Sequence, residues 1–98
     1  MEEAGDALGR IRNEIDAIDD QIGRLLALRF IKTDEVGKHK ATLGEMARDP
    51  QRQLQRKWLL HEMADRHQIP AALVFGLFRQ IAEEVVSRHR AAGCRDDV

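Results

Sequence analysis

Apolar residues in the first third of the chain recur at alternating steps of three and four: Leu8, Ile11, Ile15, Ile18, Ile22 and Leu25. That spacing lays them along one face of an α-helix. No proline interrupts Asp6 to roughly Thr42, and Gly23 and Gly37 weaken such a helix only slightly. Roughly 36 residues rising about 1.5 Å each predict a rod about 54 Å long. The two prolines, Pro50 and Pro70, open two further helical blocks. In the second block Asp49 suits the N-cap and Pro50 the first helical position. This helix is predicted to reach about Arg66, with Leu54, Trp58, Leu59 and Met63 facing inward. The third block starts at Pro70 and carries Val74, Phe78, Ile81 and Val85 on one face, widened by Leu77 and Val86.

Strand alternation, internal repeats and low-complexity segments are all missing from the pattern. The expected fold is all-α, a three-helix chain with one long N-terminal helix. It forms a single helical domain over residues 1–98, with a core of about 8–90 and a frayed tail over 91–98. Nothing else in the chain is long enough to cover the rod. A continuous apolar stripe left in water is a large exposed patch, and a second copy of the chain is the simplest cover. An all-helical homodimer is therefore expected.

The stripes are interrupted by charge. Stepping on from Leu25, the next positions are Arg29, Thr33, Val36 and Lys40. In the third block the step past Val85 lands on His89, and Arg52 shares the inward face of Leu59. Arg12 sits at the boundary of the first stripe. A single cation at a stripe edge is ordinarily explained by snorkelling, the stem buried and the head in water. Pairing with Asp16, Asp19, Asp20 or Glu35 is a second ordinary explanation. Yet no acid falls squarely on these stripes, whereas several cations do. Buried cations need anions, so the imbalance points to a small ligand with at least two negative groups. Guanidinium groups suit carboxylates because two N–H donors fit two oxygens.

Composition narrows the classes. The chain has 98 residues, 43% of them hydrophobic, and a formal net charge of −1. With both signs interspersed, it has no broad basic face for nucleic acid. A lone cysteine, Cys94, excludes an internal disulfide. No apolar run is long enough to span a bilayer, and "MEEAGDALGR" has no basic and apolar regions of a signal peptide. A cytoplasmic protein with no membrane partner is expected. "HEMAD" (residues 61–65) lacks the second histidine of a zinc helix, so no metal site is read there. His39, His61 and His67 share no face and read as solvated. Cys94 has no evident base, and no Gly-rich phosphate loop occurs.

Four segments taken together, "IRNEIDAIDDQIGRLLALR", "EVGKHK", "RDPQRQ" and "LFRQIAEE", closely resemble the all-helical (AroQ-class) chorismate mutases. The likeness runs without a gap from about Leu8 to His89. It implies an intertwined dimer of three-helix chains and an isomerase of the shikimate pathway, serving aromatic amino acid biosynthesis. It also implies a Claisen rearrangement of chorismate, a small dicarboxylate, to prephenate, with no cofactor. By position, Arg29, Lys40 and Arg52 match the family's cations within one chain, and Arg12 matches the arginine that reaches the partner's site. Asp49 and Gln53 match positions near the ring substituent; Val36 and Val85 complete the substrate contacts. His89 stands where many members have Gln, and is expected to donate to the ether oxygen from a wet pocket. Gln53 stands where many have Glu, and Val85 where some have Ser. These departures admit an alternative, a mutase or lyase for a chorismate analogue (4-amino-4-deoxychorismate mutase or isochorismate pyruvate-lyase). A non-catalytic regulatory helical dimer is a third reading, and a partner enzyme of the same pathway is left open.

Overall fold

A computed structural model describes residues 3–96. It contains three helices, α1 (Ala4–Thr42), α2 (Pro50–His67) and α3 (Ala71–Ala91), and no strand among the described residues. The all-α architecture is the one the periodicity predicts. None of these helices is long and apolar enough to cross a membrane. The chain divides between Lys32 and Thr33 into two units, and α1 contributes to both.

The first unit is the rod. Its six stripe residues, from Leu8 to Leu25, remain between 44% and 59% exposed. The polar side is laced by local pairs such as Arg10 to Glu14, 3.0 Å apart at a spacing of four.

The second unit builds its core around α3. Val74, Ile81 and Val86 are buried there, as the sequence pattern predicts, and Val85 and Phe78 are half-buried. Leu77 is not part of that core; it stays 48% exposed. α2 packs on α3 as a hairpin. The turn between them places Gln68 in the left-handed region at φ 54, with the Ile69 amide donating to the Ala64 carbonyl. Within the single chain, α2 buries a different face from the one its apolar residues predict. Leu54, Trp58 and Leu59 are all more than half exposed, while Ala64 is buried and Arg56, Leu60 and Met63 are half-buried. The reason is Arg56. Its guanidinium lies 5.4 Å from the centre of the Phe78 ring, so a cation occupies the first step of the packing face and disguises it.

The end of α1 meets α3 closely at Gly37. A Cβ placed there would lie 2.6 Å from Cδ2 of His89, so only glycine admits this approach. Farther along, Arg88 of α3 reaches Asp34 of α1 at 3.3 Å. α1 stops in a Schellman turn: Gly44 adopts φ 72, its amide donates to Ala41, and the Glu45 amide donates to the Lys40 carbonyl. α2 starts as predicted, with the Asp49 carboxylate accepting from the Arg52 amide at 3.0 Å and Pro50 at the first position. Between these caps Arg48 reaches across to α3 and binds both carboxylate oxygens of Glu83, at 3.0 and 2.9 Å.

The chain after α3 does not fray as predicted. Cys94 is buried and packs with Ala47 and Val86, and Arg95 exchanges backbone hydrogen bonds with the α1–α2 loop. The physical reason is the glycine before them. Gly93 at φ 104 turns the chain back onto the loop. The last two residues of the predicted tail lie outside the described residues.

Two stability effects follow. Gly37→Ala should destabilise the fold by about 1–3 kcal/mol, the usual cost of overpacking, and a smaller side chain at position 89 should recover part of the loss in thermal melts. The Arg48 hydrogen bonds, reinforced by its charge, hold the Glu83 carboxyl below the ordinary carboxylate range. A depressed folded value means stability present above the unfolded value and lost as pH falls through the folded one. Glu83→Gln should therefore lower the melting temperature slightly at neutral pH, and the difference from wild type should close in acid.

Candidate active site

Lys40 lies in the last turn of α1 and is 9% exposed. A buried ammonium must find acceptors. Its Nζ donates to the Ala47 carbonyl at 2.9 Å, which engages one of its three donors. Lys40 and Asp49 line one cavity of about 400 Å³, at the junction of α1 with the loop that leads into α2, and Arg95 borders it from the tail. The N-cap bond fixes the Asp49 carboxylate through one oxygen. Helix capping thus sets an anion near a buried cation, and a polar ligand entering the cavity meets both signs.

The other α2 candidates lie on the surface of the unit. Arg52 and Gln53 are both exposed in the single chain. The Arg52 amide, rather than its guanidinium, makes the contact to Asp49. Gln53 opens onto a different cavity, about 580 Å³, between α2 and α3 beside Arg56, Phe78 and Glu83.

His89 departs furthest from expectation. The ring is 4% exposed, and Nε2 lies 2.8 Å from the Thr33 carbonyl. A carbonyl only accepts, so Nε2 carries the hydrogen and donates to α1. Nδ1 is buried and has no hydrogen-bond partner among the described residues. The ring, engaged at Nε2 and pressed on Gly37, borders a cavity with Asp34, Lys38 and Arg88 and is not among the residues that line the cavity of Lys40. His89 joins α3 to α1 one turn before Lys40. Val85, on the same helix, is half-buried, and Val36 is 50% exposed.

In the first unit, Arg12 is exposed and Arg29 half-buried on the rod. The structure therefore brings Lys40 and Asp49 together around one cavity, and sets Gln53 and His89 on others. Sequence reasoning passed over the residues that frame Lys40, namely Gly37, Ala47, Cys94 and Arg95. The available signals were a glycine inside a helix and a cysteine two residues after an alanine pair, neither of which stands out.

The sequence profile of the chorismate mutase type II family matches residues 11–90. This stretch takes in most of α1, all of α2 and nearly all of α3, with Arg12, Arg29, Lys40, Asp49, Arg52, Gln53 and His89 inside it. No curated protein matches the chain. With four-fifths of its length matched and the three-helix fold in place, the chain belongs to the chorismate mutase type II family, a family of isomerases.

Proposed function

We propose that the protein rearranges chorismate to prephenate and works as an intertwined homodimer. The observation that carries this reading is that the buried ammonium of Lys40 and the Asp49 carboxylate line one cavity, within the stretch that matches the family. The rearrangement is intramolecular. One C–O bond of the enolpyruvyl ether breaks as a C–C bond forms, and no group is transferred to the protein. Catalysis then consists of holding a compact conformer and stabilising negative charge that builds on the ether oxygen. Lys40 is the donor to that oxygen. Arg29 and Arg12 of the partner subunit clamp the two carboxylates, and Arg52 closes over the site from α2. Asp49 and Gln53 meet the ring substituent, while Val36 and Val85 supply apolar contact. His89 acts through packing, by fixing the end of α1 that carries Lys40.

The dimer is supported by the rod. Six large apolar side chains in a row, each about half exposed, suit a matching rod from a second copy. The neutral carboxamide of Gln53 suits more than one ring substituent, so isochorismate and 4-amino-4-deoxychorismate are the substrates to set beside chorismate.

Incubation with each of the three, followed by product identification, should give prephenate from chorismate as the fastest conversion. No conversion of any of them would exclude an enzyme of this substrate class. Lys40→Ala should lower kcat by about 10²–10³, the usual effect of losing one donor to a developing oxyanion. Arg12→Ala and Arg29→Ala should each abolish turnover when pure. A mixed dimer of the two should regain activity, because one of its sites has both arginines. Sedimentation should show a dimer at micromolar concentration, and a stable folded monomer would defeat the shared-site reading.

A further inference from the structure

The segment after α3 lies beyond the stretch matched by the family, which ends at residue 90. Its hydrogen bonds form a continuous chain to Lys40. α3 ends in a Schellman turn, in which the Gly93 amide donates to Arg90 and the Cys94 amide to His89. The turn drives Cys94 into the small core with Ala47 and Val86, where its thiol lies 3.3 Å from the Gly37 carbonyl. Arg95 then runs parallel to the α1–α2 loop. Its amide donates to the Glu45 carbonyl at 3.0 Å, and its carbonyl accepts from the Ala47 amide at 2.8 Å. The Ala47 carbonyl, in turn, is the acceptor for the Lys40 ammonium at 2.9 Å.

We infer that Cys94 and Arg95 form a backbone clasp that positions Lys40 for the reaction by fixing the α1–α2 loop. The inference rests on the proposed mutase reading and adds positioning residues to it. Ala47 is held from both sides, its N–H by the tail and its C=O by Lys40. The loop has its own caps only at its ends, Gly44 on one side and Asp49 on the other. Between them Arg48 anchors the loop to Glu83 by its side chain, and the Arg95 bonds are the backbone contacts that orient the Ala47 peptides. Released from the clasp, the Ala47 carbonyl can turn to water, and the ammonium loses both its acceptor and its cover. The remaining Lys40 donors would then sample many directions, where transition-state stabilisation needs one. Neither residue is a catalytic group. Both act on the loop around Ala47: Arg95 pairs with it through backbone atoms and reaches the Gly44 carbonyl with its guanidinium at 3.5 Å, and Cys94 packs its side chain against Ala47.

The test compares the intact chain with Arg95→Pro, which deletes the amide donor, and with a chain ending at Gly93, which keeps α3 whole. Lysine acetylation read by mass spectrometry reports the clasp without any substrate. Lys40 should be protected in the intact chain relative to the exposed Lys38, and in both variants its labelling should rise by about tenfold or more as the local structure opens, with helical circular dichroism retained. With chorismate, kcat should fall by about 10–10² while KM moves less, the scale of a displaced catalytic group. In a Lys40→Ala background the same tail variants should cost no further kcat, because the group they position is gone. Lys40 staying protected in both variants overturns the clasp. So does an equal fall in kcat with and without Lys40, which would mark the tail as generally structural. If the intact chain leaves chorismate unchanged, the mutase reading fails, and the labelling alone decides whether the tail holds Lys40.

Discussion

A buried ammonium needs an oxygen, and much of the second unit is arranged to supply one. Lys40 sits where helix periodicity calls for an apolar residue, and its charge is tolerated because the Ala47 carbonyl is held within 2.9 Å of it. A desolvated cation without such a partner would be far too costly in a domain this small. The loop that carries Ala47 must therefore keep one shape. The Schellman turn at Gly44, the Asp49 cap, the Arg48–Glu83 fork and the Arg95 pairing all constrain the same few residues. Satisfying one charge and shaping one cavity are the same structural task.

The second constraint is steric. Gly37 lets the His89 ring come up against α1, and this contact sets the spacing of α1 and α3 at the level of the Thr33 carbonyl. The imidazole is a spacer tied down by one hydrogen bond. Its second nitrogen is buried with no hydrogen-bond partner among the described residues, a polar atom out of place in a packed contact. That is the kind of local rule-breaking expected near a functional site rather than in an ordinary core. Gly37 and Lys40 are three residues apart, so the position of the ring passes directly into the position of the ammonium.

The three helices were legible because each carries a strong period and a proline marks two of the starts. The α3 stripe was legible for the same reason, since Val74, Ile81 and Val85 are spaced as core residues and no charge intrudes on them. The face of α2 was misread because Arg56 occupies a core step and covers Phe78 with its guanidinium, whereas Leu54 and Trp58 look apolar and stay exposed. Lys40 and His89 were recognisable as anomalies, being polar residues in apolar registers. What surrounds them was not. The partner of Lys40 is a backbone carbonyl, and every alanine has one. The tail reads as frayed because its hold on the loop is made largely by main-chain atoms, a glycine turn and one small buried thiol, which leave almost no trace in side-chain pattern. Backbone pairing between segments some fifty residues apart becomes visible only once the helices are folded.

That separation also orders assembly in time. The thiol of Cys94 and the Gly37 carbonyl are 57 residues apart, His89 and Thr33 are 56, and Arg88 and Asp34 are 54. The α2–α3 hairpin, by contrast, closes over a turn of three residues. Short loops close first because long ones carry a larger entropic penalty before any contact rewards them. The helices and the hairpin thus form early, and the end of α1, the loop and the tail come together last. Helical content is then a poor gauge of an assembled site in this molecule. An intermediate can hold nearly all its secondary structure while Lys40 still faces water, and the group on which the proposed chemistry depends is among the last to be enclosed.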